Sequence, residues 1–281
     1  MKNLSKTFRF VNEYNQSITF EYGSGYIINK PVGIDIVDVQ LTQAQGINQV
    51  GATVENRTIQ PRQLTINGKI VGENQRQRKE ELLSVVRPCK GKLYADDWYL
   101  DVFVTSTPTI EPRDKFAKFQ FSLNAPYPYW QNANINTRAL TGVAPKFKFP
   151  WNISREYRFG EFISSQYIVV QNSGHVPVPF TVHFEAIDNV KNPRITNMVT
   201  GEFLLLNKSM IAGERVDVEI THNRTTVKSS VDGDIRGALD LDSNLFRLAV
   251  GDNALKPEAE SGMDNLEVRI EYATEIVGVS V

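Results

Sequence analysis

Cysteine is almost missing from this sequence. Cys89 is the only one among 281 residues, so an internal disulfide and a thiolate zinc cluster are both excluded. Histidine is scarce too: His175, His183 and His222 are the whole complement, and no pair stands at a metal-ligating spacing such as His-x-x-x-His. No apolar run approaches the ~20 residues that a membrane span requires. Residues 1–10 carry Lys2 and Lys6 without an apolar stretch behind them, so no secretory signal is expected. With a lone cysteine, this predicts folding in a reducing cytosol. Also missing are the Gly-x-Ser-x-Gly elbow of hydrolases and the Gly-x-x-x-x-Gly-Lys-Ser/Thr phosphate loop. No internal repeat stands out, which argues against propellers and solenoids.

What is present is ordinary for a globular protein: 41% hydrophobic and 22% charged residues, with aromatics carried mainly by Phe and Tyr. The net charge of −1 hides an asymmetry. Residues 1–160 carry 21 Lys and Arg against 14 Asp and Glu, whereas residues 161–281 carry 10 against 18. Either the halves face different partners or two domains have independent solvated surfaces. No basic patch interleaved with aromatics is legible, so sequence-specific nucleic-acid binding is not expected.

Period-two alternation runs along most of the chain. Trp98, Leu100, Val102 and Val104 form one strand face, and Phe119, Phe121 and Leu123 another. Phe180, Val182, Phe184 and Ala186 follow, then Val216, Val218 and Ile220, then Phe246, Leu248 and Val250. Leu266, Val268, Ile270 and Tyr272 close the series. Short strands separated by turn signals predict an antiparallel sandwich or barrel, with Asp232–Gly233 the best short-hairpin candidate. One stretch departs from the pattern: residues 73–86 lack Gly and Pro, are rich in helix formers, and stop before Pro88. A short helix capping a sheet end is expected there.

The fold class expected is therefore all-β, mainly β with one short helix, in two β-sandwich-like domains. The first covers residues 1–135, a linker covers 136–160, and the second domain covers 161–281. The linker follows the run Tyr127–Pro128–Tyr129–Trp130 and contains Pro145 and Pro150. A second irregular stretch, residues 41–60, is polar and Gly-punctuated. A loop of that length is either mobile or engaged with a partner as an arm, and it is too long and too polar for a tight hairpin.

Candidate reactive groups each have a plainer reading. His183 falls opposite Val182 and Phe184, an exposed strand position, while His175 and His222 fall in turns. Cys89 lacks a nearby histidine and reads as a small buried residue. Gly23–Ser24–Gly25 is a turn between strands. Asp96–Asp97 and the group Asp232, Asp234, Asp240 and Asp242 lack the spacing of a calcium loop. Asn192–Pro193–Arg194 echoes a sugar-binding motif of galectins, but its default reading is a turn between strands. No catalytic, cofactor or metal site is expected.

Three pieces in sequence order resemble the distal tail protein family of siphophages. The first is Pro61–Arg62 with the strand 64–71, Gly72 and the helix. The second runs from Pro88 through Gly91, Leu93 and Tyr94 into 98–104, and its sheet ends at Ala125–Pro126–Tyr127–Pro128–Tyr129–Trp130. The third carries Asn172–Ser173–Gly174, Pro177, Pro179, Asn192–Pro193, Asn197, Thr200–Gly201–Glu202, Asp232–Gly233 and Val250–Gly251–Asp252–Asn253. The resemblance implies a ring-forming first domain and a galectin-like jelly roll as the second. It implies a structural virion protein with no enzymatic activity. In that family the ring is usually a hexamer, a homo-oligomer that joins the tail tube protein to the tail-tip and receptor-binding proteins of the host-adhesion device. The location implied is the virion tail tip, after assembly in the bacterial cytoplasm. The alternative is a soluble two-domain carbohydrate-binding protein, an adhesin or enzyme accessory. Against glycan binding stands the absence of Trp from residues 161–281, since sugar sites favour an aromatic platform.

Overall fold

The computed structural model describes residues 7–141, 143–145, 160–162 and 167–280. The chain forms two units: Met1–Ala133 together with Glu275–Val281, and Asn134–Thr274. Strands dominate both, and one α-helix, Gln75–Val85, occurs among the described residues.

Unit 1 is built on a nine-stranded sheet. Its main path runs Ser17–Phe20, Phe8–Asn12, Lys90–Ala95, Trp98–Pro112, Phe116–Ala125, Arg62–Val71, Tyr26–Ile28. Every neighbouring pair is antiparallel. The two edge strands bring Phe20 and Tyr26 to a ring separation of 6.3 Å, so the sheet curls until its ends share one core. The alternation read in the sequence is the cause: Leu100, Val102, Phe119, Phe121 and Leu123 all point inward and are buried. Where strands cross closely, side chains must vanish: a Cβ on Gly91 would lie 2.7 Å from the Phe10 ring and from the Val11 carbonyl oxygen. The helix caps the sheet through Leu82 and Val85, as expected from its apolar C-terminal end. Trp130, from the aromatic run, is fully buried and donates its indole N–H to the Ile34 carbonyl at 3.2 Å.

Unit 2 has two facing sheets around a separate core. One runs Asn136–Ala139, Leu266–Tyr272, Thr181–Ala186, Arg215–Ile220, Thr225–Ser229, Gly233–Asp234; the other runs Ile168–Asn172, Gly251–Ser261, Val190–Asn197, Phe203–Leu205. Val182, Phe184 and Val218 meet Val170, Ile195 and Leu255 in the core between them. The Asp232–Gly233 hairpin is present, with Ser229 opposite Gly233 and Gly233 at φ 76°.

The asparagines of the third sequence piece close the loops of unit 2. Asn172, 1% exposed, donates to the Val176 and Leu248 carbonyls and accepts from the Gly174 N–H. Asn253 donates to the carbonyls of Val170, Ala249 and Gly251 and accepts from the Ala249 N–H. Each buried amide satisfies main-chain groups that a loop leaves unpaired, which is why Asn recurs there.

Several local readings change. Asn136–Ala139, assigned to the 136–160 linker, is an exposed edge strand paired with Leu266–Tyr272. An edge strand needs only its backbone to pair, so its polar sequence gave no period. Glu275–Ile276 pairs inside unit 1, outside the 161–281 domain to which the sequence gave it. Residues 146–159 of the linker, with Pro150, lie outside the described residues. Phe246 and Leu248 are buried, but only Leu248 makes a bridge, to Val178, and Val250 is half exposed. Asn192–Pro193 lies within the strand Val190–Asn197 and not between strands. Asn192 takes φ 51° within that strand, between the pairs Lys191–Ser261 and Pro193–Ala259.

Candidate assembly surfaces

The stretch 41–60 forms a two-stranded ribbon. Val39–Ala44 pairs antiparallel with Thr53–Ile59, with a bulge between Thr42 and Gln43. No residue of either strand is buried. The stretch is a long hairpin whose tip spans residues 45–52, neither an irregular loop nor a tight turn: Thr, Val and Ile supply strand propensity, and main-chain pairing tolerates the Gln and Asn side chains between them. The tip is built as well, since Gly46 N–H donates to the Gln49 side chain at 2.8 Å and Gln49 donates to Thr53 at 3.0 Å. Val39 and Ile59 face each other across the ribbon, while Ile47 and Val50 at the tip are 97% and 101% exposed. The ribbon forms a sheet of its own. A lone two-stranded ribbon is marginal in water, so this one calls for a surface to lie on.

A second surface lies on the outward face of unit 1's sheet. Arg9 lies over the Tyr94 ring at 4.8 Å, Lys92 over Tyr99 at 3.9 Å, and Lys90 over Phe103 at 5.6 Å. Tyr94 and Tyr99 are cross-strand partners with ring centres 5.9 Å apart, and Lys92 also pairs with Asp101 at 2.9 Å. Cations and rings therefore alternate across three strands. The sequence hides this patch because each strand contributes only every second residue.

Two depressions in the described surface carry no catalytic set. One, about 430 Å³, is lined by Asn67, Lys69, Glu111, Lys118 and others, without His, Cys or Ser. The other, about 310 Å³, is lined by Asn192, Arg194, Leu205, Glu258, Ala259 and Glu260. Within it Asn192 donates to Glu260 at 2.6 Å, and Arg194 lies over the Phe203 ring at 4.0 Å.

The singled-out residues scatter. His183 is half-buried and not exposed, with Nδ1 2.6 Å from Asp217 and Nε2 3.6 Å from Glu271, because cross-strand carboxylates crowd it. His175 and His222 lie in loops. Cys89 is buried, and burial pushes its thiol up. Gly23–Ser24–Gly25 is a turn, with both glycines at positive φ. Asp96 occupies a turn at φ 52°. Asp232 pairs with Lys208, and Asp240 accepts from Asn207. Among the described residues, no three His, Cys, Asp or Glu side chains converge as a metal site. No helix among them is long and apolar enough to cross a membrane.

The strongest ionic cluster is buried and structural. Lys208 lies between Glu214, at 3.0 Å, and Asp232. Burial pushes Glu214 up, but hydrogen bonds from Ser229, Lys208 and the Ile211 N–H outweigh it and hold the carboxyl below its ordinary value.

Two β units, one bearing an exposed ribbon, are an arrangement shared with solved structures. The chain has the fold of the SPP1 Dit protein, described as a paradigm of the hub adsorption apparatus in phages infecting Gram-positive bacteria. The TM-score is 0.70 at 13% identity, covering 95% of this chain and 98% of that one. A chain of the phage P2 baseplate in its activated conformation with Ca matches at TM-score 0.52 and 9% identity, over 98% of this chain and 100% of that one. Residues 173–275 match the model of the siphovirus-type tail component family, C-terminal domain. No curated protein sequence matches the chain.

Proposed function

We propose that this protein is a non-enzymatic structural hub at the distal end of a siphophage tail. Copies of unit 1 close into a ring, a hexamer by the resemblance. Unit 2 is the galectin-like outer domain, and each unit folds around its own core. The ring joins the tail tube to the tip and receptor-binding proteins, and it is assembled in the host cytoplasm. The observation that carries this reading is the ribbon: a folded, wholly exposed β-hairpin with apolar side chains at its base and tip. Head-to-tail contacts of one surface with a different one generate rings when the rotation closes. The basic-aromatic face supplies further contact chemistry, since Tyr and Arg are enriched at interface centres.

Replacing residues 43–56 by a short Gly-Ser linker tests it. Native mass spectrometry of the parent chain should find a closed oligomer, formed alone or with its tail partners. The shortened chain should be monomeric with unchanged melting. Rings of unchanged mass would remove the ribbon from the account. A monomeric parent that assembles with no tail partner and binds an arrayed glycan would favour the carbohydrate-binding alternative. That reading finds little support in the Asn192 depression, whose lining has no aromatic ring and whose amide is already engaged by Glu260.

A further inference from the structure

Unit 1 is completed by a segment that arrives only after the 134–274 unit has intervened in sequence. Glu275–Ile276 pairs with the strand Trp130–Asn132, placing Ile276 opposite Trp130 and Glu275 opposite Gln131. Glu275 is 3% exposed and engages the Tyr127 hydroxyl. Val279 is 1% exposed and enters the unit 1 core. Between them Gly278 passes so close to Asp35 that a Cβ there would lie 2.8 Å from the Asp35 Cα. Only two residues of this strap are in a strand, so its seating depends on plugs and on one clasp.

The clasp is Arg62. Its side chain is buried, and it donates to four main-chain carbonyls on three separate segments: Gly33 and Ile34, Pro128, and Val277 of the strap. Burial draws its pKa down to about 10, with Asp35 opposing the shift, so the guanidinium remains charged at neutral pH. A buried cation without its acceptors is costly. Loss of the Val277 carbonyl therefore loosens the remaining bonds of the same group. Those bonds hold both roots of the ribbon. Gly33 and Ile34 lie just before Val39, and Arg62 itself lies just after Ile59. The roots are otherwise joined by Gln60 N–H to the Asp38 carbonyl and by the Val32–Thr65 bridge.

We propose that residues 275–279 are a latch, and that seating the latch fixes the ribbon's roots through Arg62. With the latch open, unit 1 keeps its sheet and helix while the ribbon swings on loosened roots. Assembly is then licensed only in chains whose latch is seated, a consequence that rests on the ribbon's role proposed above. The latch itself does not depend on that role. Short segments held by few contacts open at lower free energy than the core they close.

Gly278→Val and Val279→Asp in the full chain test this by hydrogen exchange with mass spectrometry. The amides of Val32, Ile36, Gln60 and Thr65 report the roots; those of Gln75–Val85 and Thr181–Ala186 report the rest of unit 1 and unit 2. The expected result is exchange at the strap and at the roots faster by about tenfold or more, with helix and unit 2 unchanged. Arg62→Met should reproduce the loosening at the roots. A freed strap with roots unchanged overturns the proposal. So does a helix that exchanges together with the roots, because the strap is then ordinary core. A strap that stays protected in both variants overturns it as well. If the roots loosen but native mass spectrometry still finds the parent oligomer, the latch stands and the ribbon's role in assembly falls.

Discussion

Unit 2 is continuous in sequence from Asn134 to Thr274, and several of its loops are tied by asparagines reaching neighbours two to four residues away. Unit 1 is discontinuous, its core is closed by a strap from far along the chain, and it extends a ribbon that its own core does not cover. The difference separates self-sufficiency from readiness for partners. A domain whose loops are satisfied locally keeps those main-chain groups from pairing with a neighbour. One that leaves a β ribbon and a basic-aromatic face exposed has retained that capacity.

The sharpest way to break this contrast is to cut the chain. Residues 134–274 alone should be soluble and melt cooperatively. The fragment 161–281 should fold poorly. It lacks the Asn136–Ala139 strand, the buried Leu140, and Thr141, whose hydroxyl accepts the Val268 N–H at 2.6 Å. Equal melting of the two by circular dichroism would mean that the first strand of unit 2 is dispensable.

Separate cores should respond separately. Phe121→Ala is expected to cost unit 1 about 3–5 kcal/mol, and Phe184→Ala to cost unit 2 a similar amount. Both rings are fully buried. In calorimetry each substitution should move one transition and leave the other in place, and a shift of both together would make the units one cooperative body.

A smaller loss, about 1–3 kcal/mol, is expected for Asn253→Ala, which orphans carbonyls and an N–H in a buried loop of unit 2. An undiminished denaturation midpoint would show that water replaces the amide without cost.

The smallest effect is with pH. The folded Glu214 carboxyl is held below its ordinary 4.5, so its contribution is present above that value and lost as pH falls through the folded pKa. Unit 2 should therefore lose stability in acid from about pH 4.5 downward, and Glu214→Gln should flatten that part of the profile. An unchanged slope in the variant would assign the acid sensitivity elsewhere.

How much of this was legible follows from which residues carry each feature. Strands with one buried face, such as 98–104, 119–123 and 266–272, announce themselves because burial forces alternation. The helix did so through its composition and Pro88. The ribbon has no buried face and thus no enforced period, so it read as an irregular arm. The strap, Glu275 to Val279, is too short to show a pattern and reads as the tail of the domain before it. The Arg9, Lys90 and Lys92 face is assembled laterally across strands, in a direction that sequence order does not sample. His183 proved more engaged than its position suggested, since its carboxylate partners come from neighbouring strands.

The strands Trp130–Asn132 and Glu275–Ile276, where the chain leaves unit 1 and returns to it, are hydrogen-bonded partners. Two such neighbouring ends make a socket. Any module whose own termini lie close together fits between them without disturbing the sheet, as domain insertions generally do. The position held here by 134–274 is thus a place where a lineage can exchange one module for another while unit 1 and its ribbon stay constant.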